Sequence, residues 1–393
     1  MKKVIFLKYS PLTKKVYDDY CMEFLSCHDC SVEYWDVTKL FKIGNAGLEE
    51  YVPDARIKVK TLQSYKEFES MVVENQTSFF ISLMSCFLNQ WRLLRILSQK
   101  KALYASWGPA PLYVEKKSTS QRLRRVTFSK VMSVFGNYFM KFLLKTKFVR
   151  YYKYYFGVGK YGFLSIGLND EKLLKSCKRL SVHSFDYNAF RFANDKQLEQ
   201  NNYVVFIDQY FPFHPDFCIT GTQTVPPEPY YRLLNTTLSK IEKELSVEIV
   251  IAAHPKAVKY KTQDFFAGRK VFFGETQSLI KNSQFVLAHS STAIYFAIMA
   301  HKPICLLNAD LFSKHIPAHC QVIKSLEKKF QLPVIKMESF DVKDFLQNEF
   351  LLSDIQKVAY DVFLYDFCTS SDISKPNQEL LIKYLDEILN NKK

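Results

Sequence analysis

At 393 residues, 48% of them hydrophobic, the chain is too long for one ordinary core and suits two domains, which sets aside a disordered chain. Its nine cysteines show no framework of spacings, and the tight group Cys27, His28 and Cys30 lacks a second ligand pair, so reduced thiols and no metal are expected. Net charge is +15; the N-terminal run lacks the apolar core of a secretion signal, and the longest nearly apolar stretch, 79–88, is about half of what crosses a bilayer.

In chain order, residues 4–7 and 32–37 read as apolar strands and 57–59 as a weaker one. The pattern then predicts a helix over 64–74, a buried strand over 78–84, a helix over 88–99 and a strand over 102–107. Strands alternating with helices at this spacing imply a parallel sheet covered on both faces. A basic insertion, 116–160, follows, and 161–166 and 179–183 read as the last strands of a first domain over 1–195.

A second domain, 196–370, begins after a polar stretch and opens on a buried strand that runs from Tyr203 into Asp208. A helix is expected over 229–245, with proline near its start, and a strand over 247–253 closing on His254-Pro255. Further strands are expected over 270–273, 285–288 and 303–307, and helices over 276–282, 292–300, 340–350 and 357–367. A break at 371–376 leads to a final helix, 377–389, so that 371–393 is expected to cross back onto the first domain.

The positive charge is local. No Asp or Glu occurs from 116 to 169, while twelve Lys or Arg residues fall between 116 and 160; without that segment the chain carries only +3. There Phe128, Val131, Met132, Phe135, Phe139, Phe142 and Leu143 recur at helical spacing as one apolar face, with Lys130, Lys141 and Lys145 opposite. Arg122, Arg124 and Arg125 precede this helix, and Arg150 and Lys153 follow among tyrosines. A basic, aromatic, amphipathic helix without acids suits the headgroup plane of an anionic membrane. A core-packing helix with a solvated basic face is the plainer alternative. Interleaved arginine and tyrosine also suit nucleic acid, but no nucleic-acid-binding motif accompanies them. An anionic inner-membrane surface is therefore the expected partner, and nucleic acid is not.

In an open α/β sheet, ligands gather beyond the carboxyl ends of the strands. Three strand ends of the second domain present polar groups there: Asp208, His254 and the pair Ser290-Ser291. Ser290, Ser291 and Thr292 precede a helix, where hydroxyls and free N–H groups can hold a phosphate or simply cap the helix. His254, aimed by Pro255, could donate to a phosphate oxygen or be a structural histidine, and Asp208 could act as a general base or merely cap its loop. His214, Gln209, Glu275 and Thr276 lie near the same strand ends and are further candidates.

The run from Val250 to His254-Pro255, through Gly274-Glu275-Thr276 to His289-Ser290-Ser291-Thr292 and Lys302-Pro303, resembles the donor-binding half of GT-B glycosyltransferases. It looks most like those of bacterial surface polysaccharides, lipopolysaccharide and capsule among them. The His-Pro pair and the serine pair are similar to motifs of GT-B sialyltransferases and Kdo transferases, which use CMP-sugars. In those families the histidine contacts the nucleotide phosphate and the serines bind phosphate, and the resemblance implies these roles for His254, Ser290 and Ser291. The family base comes from a short acidic motif with a glycine; Asp208-Gln209-Tyr210, its nearest match, has one acid and no glycine. The resemblance is good over about 200–310 and implies an α/β fold of two Rossmann-like domains facing a central cleft. No Asp-x-Asp occurs in the chain, in keeping with a type where side chains and helix dipoles, rather than a divalent ion, balance the nucleotide phosphate.

The expectation is a metal-independent inverting glycosyltransferase without a cofactor, cytoplasmic and peripheral on the inner face of the membrane. It moves a sugar from a nucleotide-sugar, a CMP-sugar among the candidates, to a hydroxyl of a lipid-linked or surface glycan. Catalysis falls on Asp208 and His254, and donor phosphate on His254, Pro255, Ser290, Ser291 and Thr292. The alternatives are a polyol-phosphate transferase or nucleotide-sugar epimerase on the same fold, and a nucleic-acid-binding protein.

Overall fold

The structure, a computed structural model, describes residues 2–41, 50–108, 128–163, 170–192, 202–214, 224–341 and 351–390, with backbone alone for 128–134 and Glu171. Two compact units result: Met1–Asn188 with Tyr365–Lys393, and Ala189–Leu364.

The first unit is built on strands β1 (Lys2–Lys8), β2 (Cys30–Asp36), β3 (Ile57–Thr61), β4 (Phe79–Ser82), β5 (Leu103–Ser106), β6 (Tyr154–Val158) and β7 (Lys178–Val182). They form one parallel sheet in the order β3-β2-β1-β4-β5-β6-β7. The central strand shows why its sequence is a continuous apolar run. Val4 and Phe6 enter one core cluster and Ile5 and Leu7 the other, so helices cover both faces.

Of the strand expected over 161–166, Tyr161 to Phe163 form a turn instead and 164–166 lie outside the described residues; the strand that pairs with β7 is β6. Pairing ends at Gly159, whose φ is +57° and whose missing side chain makes room for the Asp366 backbone, 2.5 Å from where a Cβ would sit. The aromatic run that looked like the tail of a membrane helix thus includes a strand of the sheet.

The segment from Tyr365 onward is tied to the end of β7. The His183 N–H donates to Asn377 Oδ1 at 2.9 Å, and Asn377 Nδ2 donates to the His183 carbonyl at 3.0 Å. The helix Asn377–Asn390 then buries Leu381 and Leu385 in the cluster that holds Val4 and Phe6.

The basic helix spans Phe128–Lys145. Its core-facing stripe is Met140, Leu143 and Leu144, whereas Phe135, Phe139 and Phe142 of the expected apolar face are exposed. The helix carries a second apolar face, and the core takes that one, together with Leu143 of the expected face. Arg122, Arg124 and Arg125 lie outside the described residues, and of Lys130 only the backbone is described.

The second unit has a six-stranded parallel sheet in the order β10-β9-β8-β11-β12-β13. Its strands are β8 (Tyr203–Ile207), β9 (Glu248–Ala253), β10 (Val271–Phe273), β11 (Val286–Ala288), β12 (Ile304–Asn308) and β13 (Val334–Lys336). From β8 the chain winds outward through β9 and β10, then returns to lay β11, β12 and β13 on the other side. Strand order therefore reverses between β8 and β11, the switch point where a crevice opens above the strand ends. The helices Asp310–His315 and Pro317–Phe330 and strand β13 had no counterpart in the sequence reading. The helix expected over 340–350 falls largely on 342–350, outside the described residues.

Candidate functional site

The register of the second sheet decides which side chains meet. Ile207 pairs with Ala252 on one side and with Ala288 on the other, so Asp208 and Gln209 leave β8 between the ends of β9 and β11. His254 follows β9 directly, and His289 and Ser290 follow β11. Three adjacent strands thus deliver Asp208, Gln209, His254 and Ser290 around the switch point.

Asp208 is 2% exposed. Its Oδ2 accepts the Tyr210 N–H at 3.0 Å, closing a turn in which Tyr210 adopts a φ of +55°, while its Oδ1 is buried without a hydrogen-bond partner. Burial pushes the carboxyl up to about 7, opposed by the nearby Tyr260 hydroxyl and by the backbone amides of Tyr210, His254 and Gln209. A carboxyl that gains and loses its proton near neutrality at a strand end is a candidate for general-base work.

Gln209 faces the other way. Its Oε1 accepts from the Ser290 N–H at 2.6 Å and from the Ser290 hydroxyl at 3.2 Å. The same hydroxyl lies 2.6 Å from His319 Nδ1. Both Ser290 donors are held by the Gln209 amide oxygen, so a phosphate oxygen reaches them by displacing that side chain. His319 stands in the first turn of the Pro317–Phe330 helix, and burial together with His214 lowers its pKa. The His214 ring in turn packs against His254, centroids 4.7 Å apart. His319 thus meets the Ser290 hydroxyl directly, while His214, whose charge acts on His319, pairs its ring with His254.

Beneath them, His289 is fully buried against Phe206, Phe211 and Phe312. Its Nδ1 lies 2.7 Å from the Leu307 carbonyl, an acceptor only, so Nδ1 carries the proton and Nε2 accepts from the Tyr230 hydroxyl at 3.1 Å. Burial lowers this imidazole to about 4, so it stays neutral and anchors the turn that presents Ser290.

Other expected site residues sit differently. The helix after the serines is Ile294–Met299, six residues, too short for a sizeable dipole, and the Ser291 hydroxyl accepts the Ala293 N–H at 3.2 Å. Thr292 and Pro255 are exposed beside the site. Glu275 and Thr276 follow β10, the edge strand, one strand further out than His254. Lys259, on the loop after His254, places its ammonium 3.9 Å over the Phe213 ring and brings positive charge to this end of the sheet. Among the described residues, no group of three or more His, Cys, Asp or Glu is placed to hold a metal ion.

No family model and no curated protein sequence matches this chain. Among solved structures, the wall teichoic acid polymerase TagF resembles it in its H548A form, with a TM-score of 0.52 at 13% identity over 100% of this chain and 90% of that one. The H444N variant of TagF does so with a TM-score of 0.52 at 15% identity and the same coverage, 100% and 90%. The calicheamicin glycosyltransferase CalG4 follows with a TM-score of 0.50 at 10% identity over 99% of both chains. The fold is of the GT-B type. At such identities the likeness concerns the path of the backbone through two Rossmann-like units, and the chemistry has to be argued from the residues themselves.

Proposed function

We propose that this chain transfers a sugar from a nucleotide-activated donor to an acceptor hydroxyl at the Asp208–His254–Ser290 site. The observation that carries the reading is one arrangement: Ser290 tied to Gln209 and His319, the His214–His254 ring pair, and the buried carboxyl of Asp208, delivered by adjacent strands at the switch point of the sheet. Asp208 removes the acceptor proton as the acceptor oxygen bonds to the anomeric carbon. The bond from that carbon to the phosphate oxygen breaks, and its electron pair leaves with the nucleotide. His254 and the Ser290 N–H and O–H meet the charge that appears there, with His319 holding the hydroxyl. Attack opposite the leaving group makes the transfer inverting, and no step needs a metal ion. The resemblance of His254-Pro255 and Ser290-Ser291 to CMP-sugar motifs supports a CMP-sugar as donor and a lipid-linked or surface glycan as acceptor.

Transfer of a polyol phosphate is a second reading, favoured by the imidazoles His319 and the His214–His254 pair beside the site, and by the likeness to a wall teichoic acid polymerase. Thermal melting of the purified chain with CMP-, UDP-, GDP- and dTDP-sugars and with CDP-polyols separates the two. Stabilisation by a sugar nucleotide, followed by acceptor-dependent release of its nucleotide, is expected. Stabilisation by CDP-polyols alone moves the reading to phosphate transfer, and turnover without acceptor points to an epimerase. No shift with any of them defeats the donor site.

A further inference from the structure

Far along the sequence from the donor site, the helix Phe128–Lys145 shows two apolar faces, and only one belongs to the core. Met140, Leu143 and Leu144 pack into the first unit. On the other side Phe135, Tyr138 and Phe142 are 65%, 70% and 59% exposed, and Phe139 stacks against Phe142 with centroids 6.3 Å apart. Large aromatics left in water on one stripe represent apolar area that the fold does not bury.

A second element extends this surface. Gly136 lies against Leu88, the neighbour of exposed Phe87, and the helix Trp91–Gln99 that follows brings Arg95 to 3.4 Å over the ring of Phe148. Phe148 is itself exposed and flanked by Lys145, Lys147 and Arg150, all exposed. From 116 to 169 the sequence contains no acid, and Asp170, the first one after it, pairs with Lys141 at 3.8 Å. Cations thus gather at the Lys145 end of the stripe.

The geometry points to this face as the seat of an anionic bilayer surface, aromatics at acyl-chain level and lysines and arginines at the phosphates. The partner is argued from charge. A protein partner would be matched by charges of both signs, and a second copy of this face would set cation against cation. No helix among the described residues is long and apolar enough to cross a membrane. It is independent of the donor site, which lies in the other unit.

Co-sedimentation of the full chain with vesicles of equal parts phosphatidylglycerol and phosphatidylcholine tests it. The wild type is expected to bind these vesicles, to ignore pure phosphatidylcholine, and to release as salt rises. Phe135→Ser/Phe139→Ser/Phe142→Ser is expected to lower partitioning about a hundredfold. Lys145→Glu/Lys147→Glu lowers it about thirtyfold or more, whereas Lys314→Glu/Lys324→Glu in the other unit leaves it unchanged. All these side chains except Phe139 are largely exposed, so circular dichroism melting should match the wild type. Undiminished binding by both 135–147 variants overturns the proposal. So does a dimer in solution that only the phenylalanine variant dissociates, or retention of an oligonucleotide through these residues without vesicle binding.

Discussion

Asp208 is the residue on which chemistry and stability meet. Its pKa in the folded chain, about 7, lies above the ordinary carboxylate range, so the folded state holds a proton that the unfolded state has lost. The stability this represents is complete below the ordinary range and disappears as pH rises through about 7. Asp208→Asn keeps the group neutral at every pH. At pH 8 the variant should melt above the wild type while transfer falls by about a thousandfold. A variant that melts lower there, or keeps its activity, removes the carboxyl from both roles. Wild-type transfer should rise with pH through the same region, as the base form appears.

Ser290 and His319 act as one unit on geometry, with Nδ1 at 2.6 Å from the hydroxyl. Ser290→Ala and His319→Ala should each weaken donor binding about tenfold, and the double variant should lose little more. Independent losses that add would separate them. His319 was not legible in the sequence as a site residue, although a cue was present. Pro317 occupies the first helical turn, and Cys320, Ile323, Leu326 and Phe330 recur on one buried face. The cue predicts a helix there; only packing brings its first turn to the end of β11.

At the scale of elements, the Phe128–Lys145 helix shows how far periodicity reaches. Apolar residues at i, i+3 and i+4 announce a helix, but when two such stripes coexist the pattern does not say which the core accepts. Met140→Ala should cost about 3 kcal/mol of stability in denaturant titration and Phe139→Ala less than about 1 kcal/mol. The reverse ranking would mean that the other stripe is the packed one. Strand β6 is the companion case. Its residues Tyr154 to Val158 continue a run of tyrosines and lysines, and what makes them a strand is a place between β5 and β7.

For the whole molecule, the first unit depends on residues distant in sequence. Asn377 is fully buried and answers both the N–H and the carbonyl of His183. Asn377→Ala leaves these groups unpaired and should cost about 2 kcal/mol, read from the urea midpoint. Little change would mean that the terminal helix is held by its apolar face alone. The sequence by itself determined the alternating strands and helices, the two parallel sheets, and the arrival of Asp208, His254 and Ser290 at strand ends, because burial on both faces writes itself into each strand as a short apolar run. Tertiary structure alone decided that β8 lies between β9 and β11, which joins Gln209 to Ser290. It alone decided that His319 reaches Ser290 and His214 meets His254, and that an aromatic stripe stays outside the core. These depend on strand order and packing between segments far apart in the chain, which no local pattern encodes.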